Sequence, residues 1–141
     1  MQTFHSLIPE DWPAEGRAFP VRTIDIRVEA GDPAGISRFD RQVQENWERE
    51  GAVNPHLFNG RLITLNDVRL EDERVIATGQ IVPYAYHLWW RRQAPRPPTF
   101  HSFAMPVIVS ADGAIIATRM SRTTANAGKV YCASGSLETA D

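Results

Sequence analysis

The sequence has little cysteine and no long apolar run. Its one cysteine, Cys132, cannot form an internal disulfide, which favours a reducing compartment and argues against a small disulfide-stapled scaffold. No apolar run approaches the roughly 18 residues that a membrane-spanning helix needs. The N-terminus has neither the basic nor the long apolar region of a signal peptide. We therefore expect a cytoplasmic protein with no membrane partner.

The chain also lacks an excess of charge of either sign. Its formal net charge is -2 over 141 residues, so nothing indicates a bulk electrostatic attraction to nucleic acid or to an anionic membrane. Hydrophobic residues make up 43% and charged residues 23%, which is an ordinary balance for a globular protein. A chain of this length predicts a single domain with room for a hydrophobic core.

The standard patterns of catalytic and cofactor sites are missing as well. The four histidines are widely separated and show no paired-ligand spacing, so a structural zinc site is not expected. No G-x-S-x-G motif occurs, which disfavours a Ser-His-Asp hydrolase. Walker A and dinucleotide-binding glycine patterns are absent too. Cys132 lies in an apolar segment and is predicted to be an inert small hydrophobe.

Hydrophobic periodicity predicts the first two elements of secondary structure. Residues 21–30 alternate between apolar and polar side chains, as in a half-buried strand. Residues 32–51 predict an amphipathic helix that Asp32 caps and Gly51 ends. One apolar stripe of this helix is expected to face the core. The stripe consists of Ile36, Phe39, Val43 and Trp47.

The rest of the chain is predicted to be mostly strand. Residues 62–86 indicate two antiparallel strands joined by a polar turn, with Pro83 at a strand end or edge. Residues 103–121 predict a hairpin around an Asp-Gly dipeptide, which supplies the positive φ angles of a tight turn. With a last strand in residues 129–136, the predicted fold class is α+β, a mixed and mostly antiparallel sheet with one amphipathic helix.

The segment YHLWWRR, residues 86–92, combines aromatic and basic side chains, and its periodicity fits a short helix as well as a strand ending. One hypothesis is a stacking surface for a base or a sugar. The hypothesis that we favour divides Trp89 and Trp90 between the core and its rim. Arg91 and Arg92 would then be solvated.

Two arginines, Arg119 and Arg122, follow the predicted hairpin and precede a glycine-containing loop. A guanidinium group matches the geometry of phosphate oxygens, so these residues are candidates for substrate binding. Arginines at strand ends are also common on protein surfaces, and simple solvation is the alternative interpretation.

The order of these features resembles the approach to the Nudix box of Nudix hydrolases. In that family a hairpin ends in a basic residue, and the next strand runs into a glycine-rich turn, as VYCASGSLETAD does here. The box reads G-x5-E-x7-R-E-U-x-E-E-x-G-U, where U is a bulky aliphatic residue. Gly135 matches its opening glycine, and Asp141 stands where its first glutamate belongs.

The resemblance covers about residues 54–141 and implies the N-terminal portion of a Nudix-like protein. Residues 1–20 would be an irregular arm, residues 21–100 an N-terminal extension and residues 101–141 an incomplete Nudix-like core. The complete form would hydrolyse a nucleoside diphosphate linked to another moiety, with Mg2+ bridging the phosphates. The metal-site candidates that the resemblance implies are Gly135, Glu138 and Asp141.

The helical part of the box, which carries the metal-binding glutamates of the family, is absent from this sequence. We therefore expect these 141 residues to be inactive by themselves. The alternative is a non-catalytic binding or assembly module. A sheet face that the box helix normally covers would then be bare, and a homo-oligomer is expected to bury it. The expected partner is a nucleotide-derived small molecule and not nucleic acid.

Overall fold

The computed structural model describes residues 13, 16–32 and 35–138. Its fold is α+β, as predicted, with one four-stranded sheet and two smaller two-stranded sheets. Helix α1 spans Asp40–Val53 after a short 3-10 turn at Ile36–Phe39, and helix α2 spans Tyr84–Trp90. The strands are β1 Thr23–Val28, β2 Arg61–Glu71, β3 Arg74–Pro83, β4 Phe100–His101, β5 Phe103–Ala104, β6 Thr118–Arg119, β7 Val130–Tyr131 and β8 Gly135–Ser136.

The centre of the fold is the antiparallel pair of β2 and β3, which confirms the predicted two-stranded unit. Its two-residue turn, Asp72-Glu73, has φ angles of 47° and 61°, which is typical of the type I′ turn that matches the twist of paired strands. Strand β1 adds to β3 in parallel and β4 adds to β2 antiparallel, so the sheet order is β1-β3-β2-β4. Pro83 ends β3 as expected.

The two central strands approach each other closely at Gly79. A Cβ atom at this position would lie 2.8 Å from Cγ2 of Ile63 and 2.8 Å from the carbonyl oxygen of Thr64. Between Leu65 and Asp67 the register shifts by one residue, and such a bulge increases the local twist of a sheet. The missing side chain of Gly79 therefore makes room for the neighbouring strand.

One face of the sheet packs against both helices through the predicted apolar stripe. Ile36 and Val43 are buried, and Phe39 and Trp47 pack half-buried against the same cluster. The polar face of α1 is exposed, as expected. The prediction of an amphipathic helix in this segment is therefore confirmed.

The described helical segment begins at Ile36 with the 3-10 turn, later than the predicted start after Asp32, and α1 ends at Val53, later than predicted. Asp32 Oδ2 accepts a hydrogen bond of 2.9 Å from the N–H of Ser37, and its Oδ1 accepts one from Ile36, so the carboxylate caps the first turn. Gly51 lies inside α1, and the prediction that it ends the helix is wrong. The backbone N–H of Asn54 donates to the carbonyl of Glu50 and closes the last turn.

The aromatic part of the segment YHLWWRR lies in α2, a second helix. With 7 residues, the helix is too short for its hydrophobic periodicity to distinguish it from a strand ending. Trp89 is buried, with its ring centroid 4.7 Å from that of Phe39. Trp90 is half-buried and donates its Nε1–H to the carbonyl of Pro97 at 3.2 Å. The favoured division of the two tryptophans between core and rim is confirmed. Arg92 is exposed, as predicted, and its Nε donates to Glu50 Oε1 at 2.7 Å on the surface.

The opposite face of the sheet is apolar and only partly covered. The alternation in residues 21–30 predicted a strand with one buried face. The strand is confirmed as β1, but Ile24 and Val28 on that face are 65% and 42% exposed. Coverage is confined to the middle of the sheet, where the packed residues are Ile63, Leu65 and Ala77, with Ile26, Val68, Phe100 and Leu137 against them.

The predicted hairpin in residues 103–121 is open rather than strand-like. Its two sides meet in an isolated bridge between Val109 and Ile115, with backbone hydrogen bonds from Ser110 to Ala114 at 2.9 Å and from Ile116 to Ile108 at 3.0 Å, around a turn in which Gly113 has φ 84°. Its large apolar side chains are exposed. We call residues 105–117 the apolar arm. Its exposed apolar residues are Met105, Val107, Ile108, Val109, Ile115 and Ile116.

The last described segment returns to the main sheet. Strand β7 pairs with β6, and β8 pairs with β5, both antiparallel. Beyond β8, the carbonyl of Leu137 accepts the N–H of Ile63 at 2.8 Å, and Glu138 bridges to Leu62. These contacts hold residues 134–138 beside β2 and β4. Among the described residues, neither helix has the length and apolar character to cross a membrane.

Candidate ligand cleft

Four segments that are distant in the sequence meet around one open cleft of about 530 Å3. Helix α2 forms one wall, the β4–β5 segment forms the floor, and the loop before β7 faces them, with β8 at the end. We call this the histidine cleft. Its principal side chains are His87, Arg91, His101, Phe103, Lys129 and Ser136.

Aromatic rings form a nearly continuous surface along the cleft. The rings of His87 and His101 lie with their centroids 3.9 Å apart at an angle of 34°. His101 in turn stacks on Phe103 at 5.9 Å and 23°. Behind this pair, His87 stacks on Trp90 at 6.0 Å and 27°. Such offset arrangements are those that aromatic pairs prefer, so the rings support one another's orientation.

Both imidazoles of the cleft are uncharged at neutral pH. Burial first, and then the neighbouring His101 and Arg91, lower the pKa of His87 to about 4. Burial also lowers the pKa of His101 below its ordinary value. Neutral imidazoles present π faces without a positive charge, and each keeps one nitrogen free to accept a proton.

Two permanent cations also line the cleft. Arg91 reaches it from α2, and Lys129, the one lysine of the sequence, reaches it from the loop before β7. Lys129 Nζ donates to Asn126 Oδ1 at 3.4 Å, and the amide of Asn126 donates to the hydroxyl of Tyr131 at 3.1 Å. Among the described residues, no aspartate or glutamate lines this cleft. The local potential therefore favours an anion.

A hydroxyl group and an imidazole meet at the end of the cleft. Ser136 Oγ lies 3.3 Å from Nε2 of His101. The other ring nitrogen, Nδ1 of His101, is buried and has no hydrogen-bond partner among the described residues. Since Ser136 contacts Nε2, a change in the protonation of the His101 ring changes its hydrogen bond with Ser136.

Two further clefts adjoin the histidine cleft. One, of about 470 Å3, shares Tyr84 and Ser136 with it and is also lined by Phe58, Arg61 and Glu138. We call this the Phe58 cleft. Ser136 therefore stands on the ridge between two open sites. A third cleft of about 360 Å3 shares Thr124 and Ala125 with the histidine cleft on its other side.

The predicted phosphate-binding arginines do not meet in one cleft. Arg122 lines the third cleft. Arg119 is exposed in β6, and its neighbour Met120 lines the histidine cleft instead. The cations that the structure places beside the ring wall are Arg91 and Lys129, and neither was a predicted site residue.

The predicted metal residues lie around Ser136. Gly135 lines the histidine cleft, Glu138 lines the Phe58 cleft, and Asp141 lies outside the described residues. Magnesium needs several hard oxygen ligands, and the described part of this set supplies one carboxylate. In the described part of the chain, no group of three or more His, Cys, Asp or Glu side chains could hold a metal ion. These residues by themselves do not fit a magnesium site.

The stacking hypothesis for the tryptophans is corrected by the structure. Trp89 is buried in the core, and the guanidinium of Arg96 lies 5.0 Å from the ring centroid of Trp90, so both rings are already packed. The accessible rings belong to His87, His101 and Phe103. The available signal was the clustering of aromatic residues around these two histidines, in the segments YHLWW and FHSF.

Comparison of the chain with protein-family models, with curated proteins and with solved structures finds no match in any of the three. The Nudix resemblance therefore rests on the residues that carry it, from the hairpin through Gly135 to Asp141.

Proposed function

We propose that the histidine cleft binds a nucleotide-derived small molecule. The flat base or another aromatic group lies against the rings of His101 and Phe103, and the phosphate lies toward Lys129 and Arg91. The observation that carries this proposal is that an uncharged ring wall and two cations share one cleft in which no described carboxylate competes for them.

Magnitudes support this pairing of ring and charge. Stacking of a base on an aromatic side chain contributes roughly 1–3 kcal/mol. Charge-assisted hydrogen bonds to a phosphate are shorter and about twice as strong as neutral ones. The volume of about 530 Å3 falls within the usual range for small-molecule sites. Neither contribution alone gives strong binding to an open cleft, so a ligand that carries both groups is favoured.

The hydrolytic activity implied by the Nudix resemblance is a separate proposal. A complete form would cleave a nucleoside diphosphate derivative with magnesium, and it would need carboxylates in addition to Glu138. Binding in the histidine cleft does not depend on such ligands. The two proposals therefore succeed or fail independently.

Calorimetric titration with ADP, adenosine and inorganic pyrophosphate tests the binding proposal without magnesium. We expect ADP to bind more tightly than either of the two fragments, because only ADP engages both the rings and the cations. Lys129→Gln should weaken ADP binding about tenfold and leave adenosine binding unchanged. His101→Asn should weaken both ADP and adenosine.

Arg119→Gln is the matched control, because it removes one positive charge from the strand next to the same loop. It should leave the affinity for ADP unchanged. A loss of ADP affinity in Arg119→Gln and not in Lys129→Gln would instead indicate that the phosphate binds at the arginines predicted from the sequence. Equal affinities for ADP and adenosine would contradict the proposed role of the two cations.

A second candidate function, assembly with another copy of this chain, is favoured by a different observation. The apolar arm exposes six large apolar side chains, and the uncovered sheet face adds Ile24 and Val28. Contiguous apolar surface of several hundred Å2 is uncommon on monomers and is usually buried by a partner. Of the apolar arm, Met105 also lines the histidine cleft, and the other five side chains do not, so assembly through those five is compatible with ligand binding.

A further inference from the structure

We propose that Ser136 and His101 form a nucleophile–base pair, in which the serine hydroxyl attacks a phosphoryl group held between the histidine cleft and the Phe58 cleft. This activity goes beyond ligand binding and uses no magnesium. The ligand class is a phosphate ester or anhydride, because Arg91 and Lys129 on one side and Arg61 on the other supply charge for phosphoryl oxygens.

Each reacting group sits on a strand that is paired with another strand. Ser136 in β8 is opposite Phe103 in β5, and His101 in β4 is opposite Thr64 in β2. The separation of 3.3 Å between Ser136 Oγ and His101 Nε2 is within the looser range that nucleophile–base pairs show before substrate binds. Strand pairing on both sides limits how far the two groups can drift apart.

The state of His101 suits a general base. The ring is half-buried, and burial lowers the pKa of His101, so the ring is neutral at pH 7. In the tautomer that carries its proton on Nδ1, Nε2 accepts the serine proton. His87 packs on its face with a centroid distance of 3.9 Å and acts as a positioning residue. In the tautomer that accepts the serine proton, the buried Nδ1–H has no partner among the described residues, and burial makes the charged imidazolium costly. The proton is therefore passed on rather than retained.

The position of Ser136 also fits the reaction. Its side chain lines both clefts, so a phosphoryl group above it can have its transferred part in one cleft and its leaving group in the other. An attack from this ridge needs no large movement of either part of the ligand.

Atoms and charge balance in both steps of the reaction. The Oγ–H proton of Ser136 moves to Nε2 of His101 while the Oγ–P bond forms and the bond from phosphorus to the leaving oxygen breaks. The leaving oxygen takes the proton from His101. Water then attacks the phosphoserine, His101 accepts the proton of the water, the P–Oγ bond breaks, and the serine oxygen recovers that proton. No electrons are transferred.

The experiment uses diisopropyl fluorophosphate as the probe and mass spectrometry of the digested protein as the readout. The expected adduct forms on Ser136 with loss of fluoride, and Ser136→Ala abolishes it. His101→Asn should slow labelling at least a hundredfold, which corresponds to the loss of a general base. His87→Phe, which keeps a ring against His101, should label at nearly the original rate, whereas His87→Ala should label more slowly.

Ser134 supplies the matched control, because it lines the histidine cleft two residues before Ser136. Ser134→Ala should label normally, and circular dichroism should show the same fold for every variant. Equal labelling of Ser134 and Ser136, no adduct at all, or an adduct whose rate ignores His101 would overturn the proposal. ADP titration of the same samples separates this outcome from a failure of the binding proposal, since binding does not need the serine hydroxyl.

Discussion

The rings of His87 and His101 pack with their centroids 3.9 Å apart and their planes tilted by 34°, and the pKa of each imidazole is lowered below its ordinary value. The pKa of His87 is lowered from 6.5 to about 4 by burial first, and then by His101 and Arg91. Between these two values the unfolded chain binds more protons than the folded one. The free energy of unfolding should therefore show no loss from His87 above about pH 6.5, and it should fall as the pH drops toward 4.

Denaturant unfolding at pH 7.0 and pH 4.5 measures this loss. Because the His87 ring is only partly buried, solvent reduces the effect, and we expect about 1–2 kcal/mol from this group. His87→Phe should flatten the pH dependence. The control is His56→Gln, which changes an exposed histidine outside the ring stack and should leave the slope unchanged. An identical slope in His87→Phe would contradict the assignment.

Gly79→Ala should destabilise the sheet strongly. The added Cβ would approach Ile63 and the carbonyl of Thr64 to 2.8 Å, and the backbone of a central strand pair cannot move away cheaply. Overpacking of this kind costs about 1–3 kcal/mol, and chemical denaturation should show a loss in this range.

The matched control is Gly51→Ala in α1, where a new Cβ has no neighbour within 4 Å. That substitution should stabilise the protein by about 0.5–1 kcal/mol, because alanine loses less backbone entropy in a helix. A loss of stability in Gly51→Ala, or none in Gly79→Ala, would show that the strand and helix environments are not as described.

Gly51 and Gly79 show which features of the fold the sequence predicts and which it does not. The rule that glycine ends a helix placed the end at Gly51, but tertiary packing of α1 outweighs a penalty of about 1 kcal/mol, and the helix continues. Gly79 looked like an ordinary strand residue, because the approach of β2 is a long-range property. Local patterns did predict the central strand pair, its polar turn and the buried stripe, since each depends on neighbours in the sequence.

The histidine cleft could not be predicted from the sequence, because it also depends on long-range contacts. Ser136 and His101 are 35 residues apart, and no spacing rule joins them. The arginines that the sequence did single out follow a strand end, where any arginine is solvated easily, whereas Arg91 and Lys129 acquire their role from the elements that surround them. For the hairpin in residues 103–121, the sequence predicted more strand than the structure has. Its alternation and Asp-Gly turn are present, but its large apolar side chains are exposed.

Asp32→Ala should destabilise the start of the helical segment by about 1 kcal/mol, because the N–H groups of Ile36 and Ser37 lose their acceptor. The pKa of Asp32 is lowered chiefly by its hydrogen bond with Ser37. The stabilisation from the carboxylate is therefore present above about pH 4 and is lost as the pH falls further. Asp32→Asn keeps one acceptor oxygen and should lose less, and thermal melts at pH 7 compare the three proteins. Equal losses in the two variants would mean that the cap is not the cause.

The apolar arm should drive self-association. Burial of apolar surface contributes about 25 cal/mol for each Å2, so a patch formed by residues such as Val109 and Ile115 favours a second copy over water. Light scattering at rising protein concentration should show a dimer or larger species, and Val109→Asp with Ile115→Asp should shift it to monomer. Ala114→Asp adds one negative charge, where the double variant adds two, at the exposed turn of the arm without removing a large apolar group, and it should leave the assembly intact. A monomer at high concentration would contradict assembly. Dissociation by Ile24→Asp and not by the arm variants would move the interface to the uncovered sheet face.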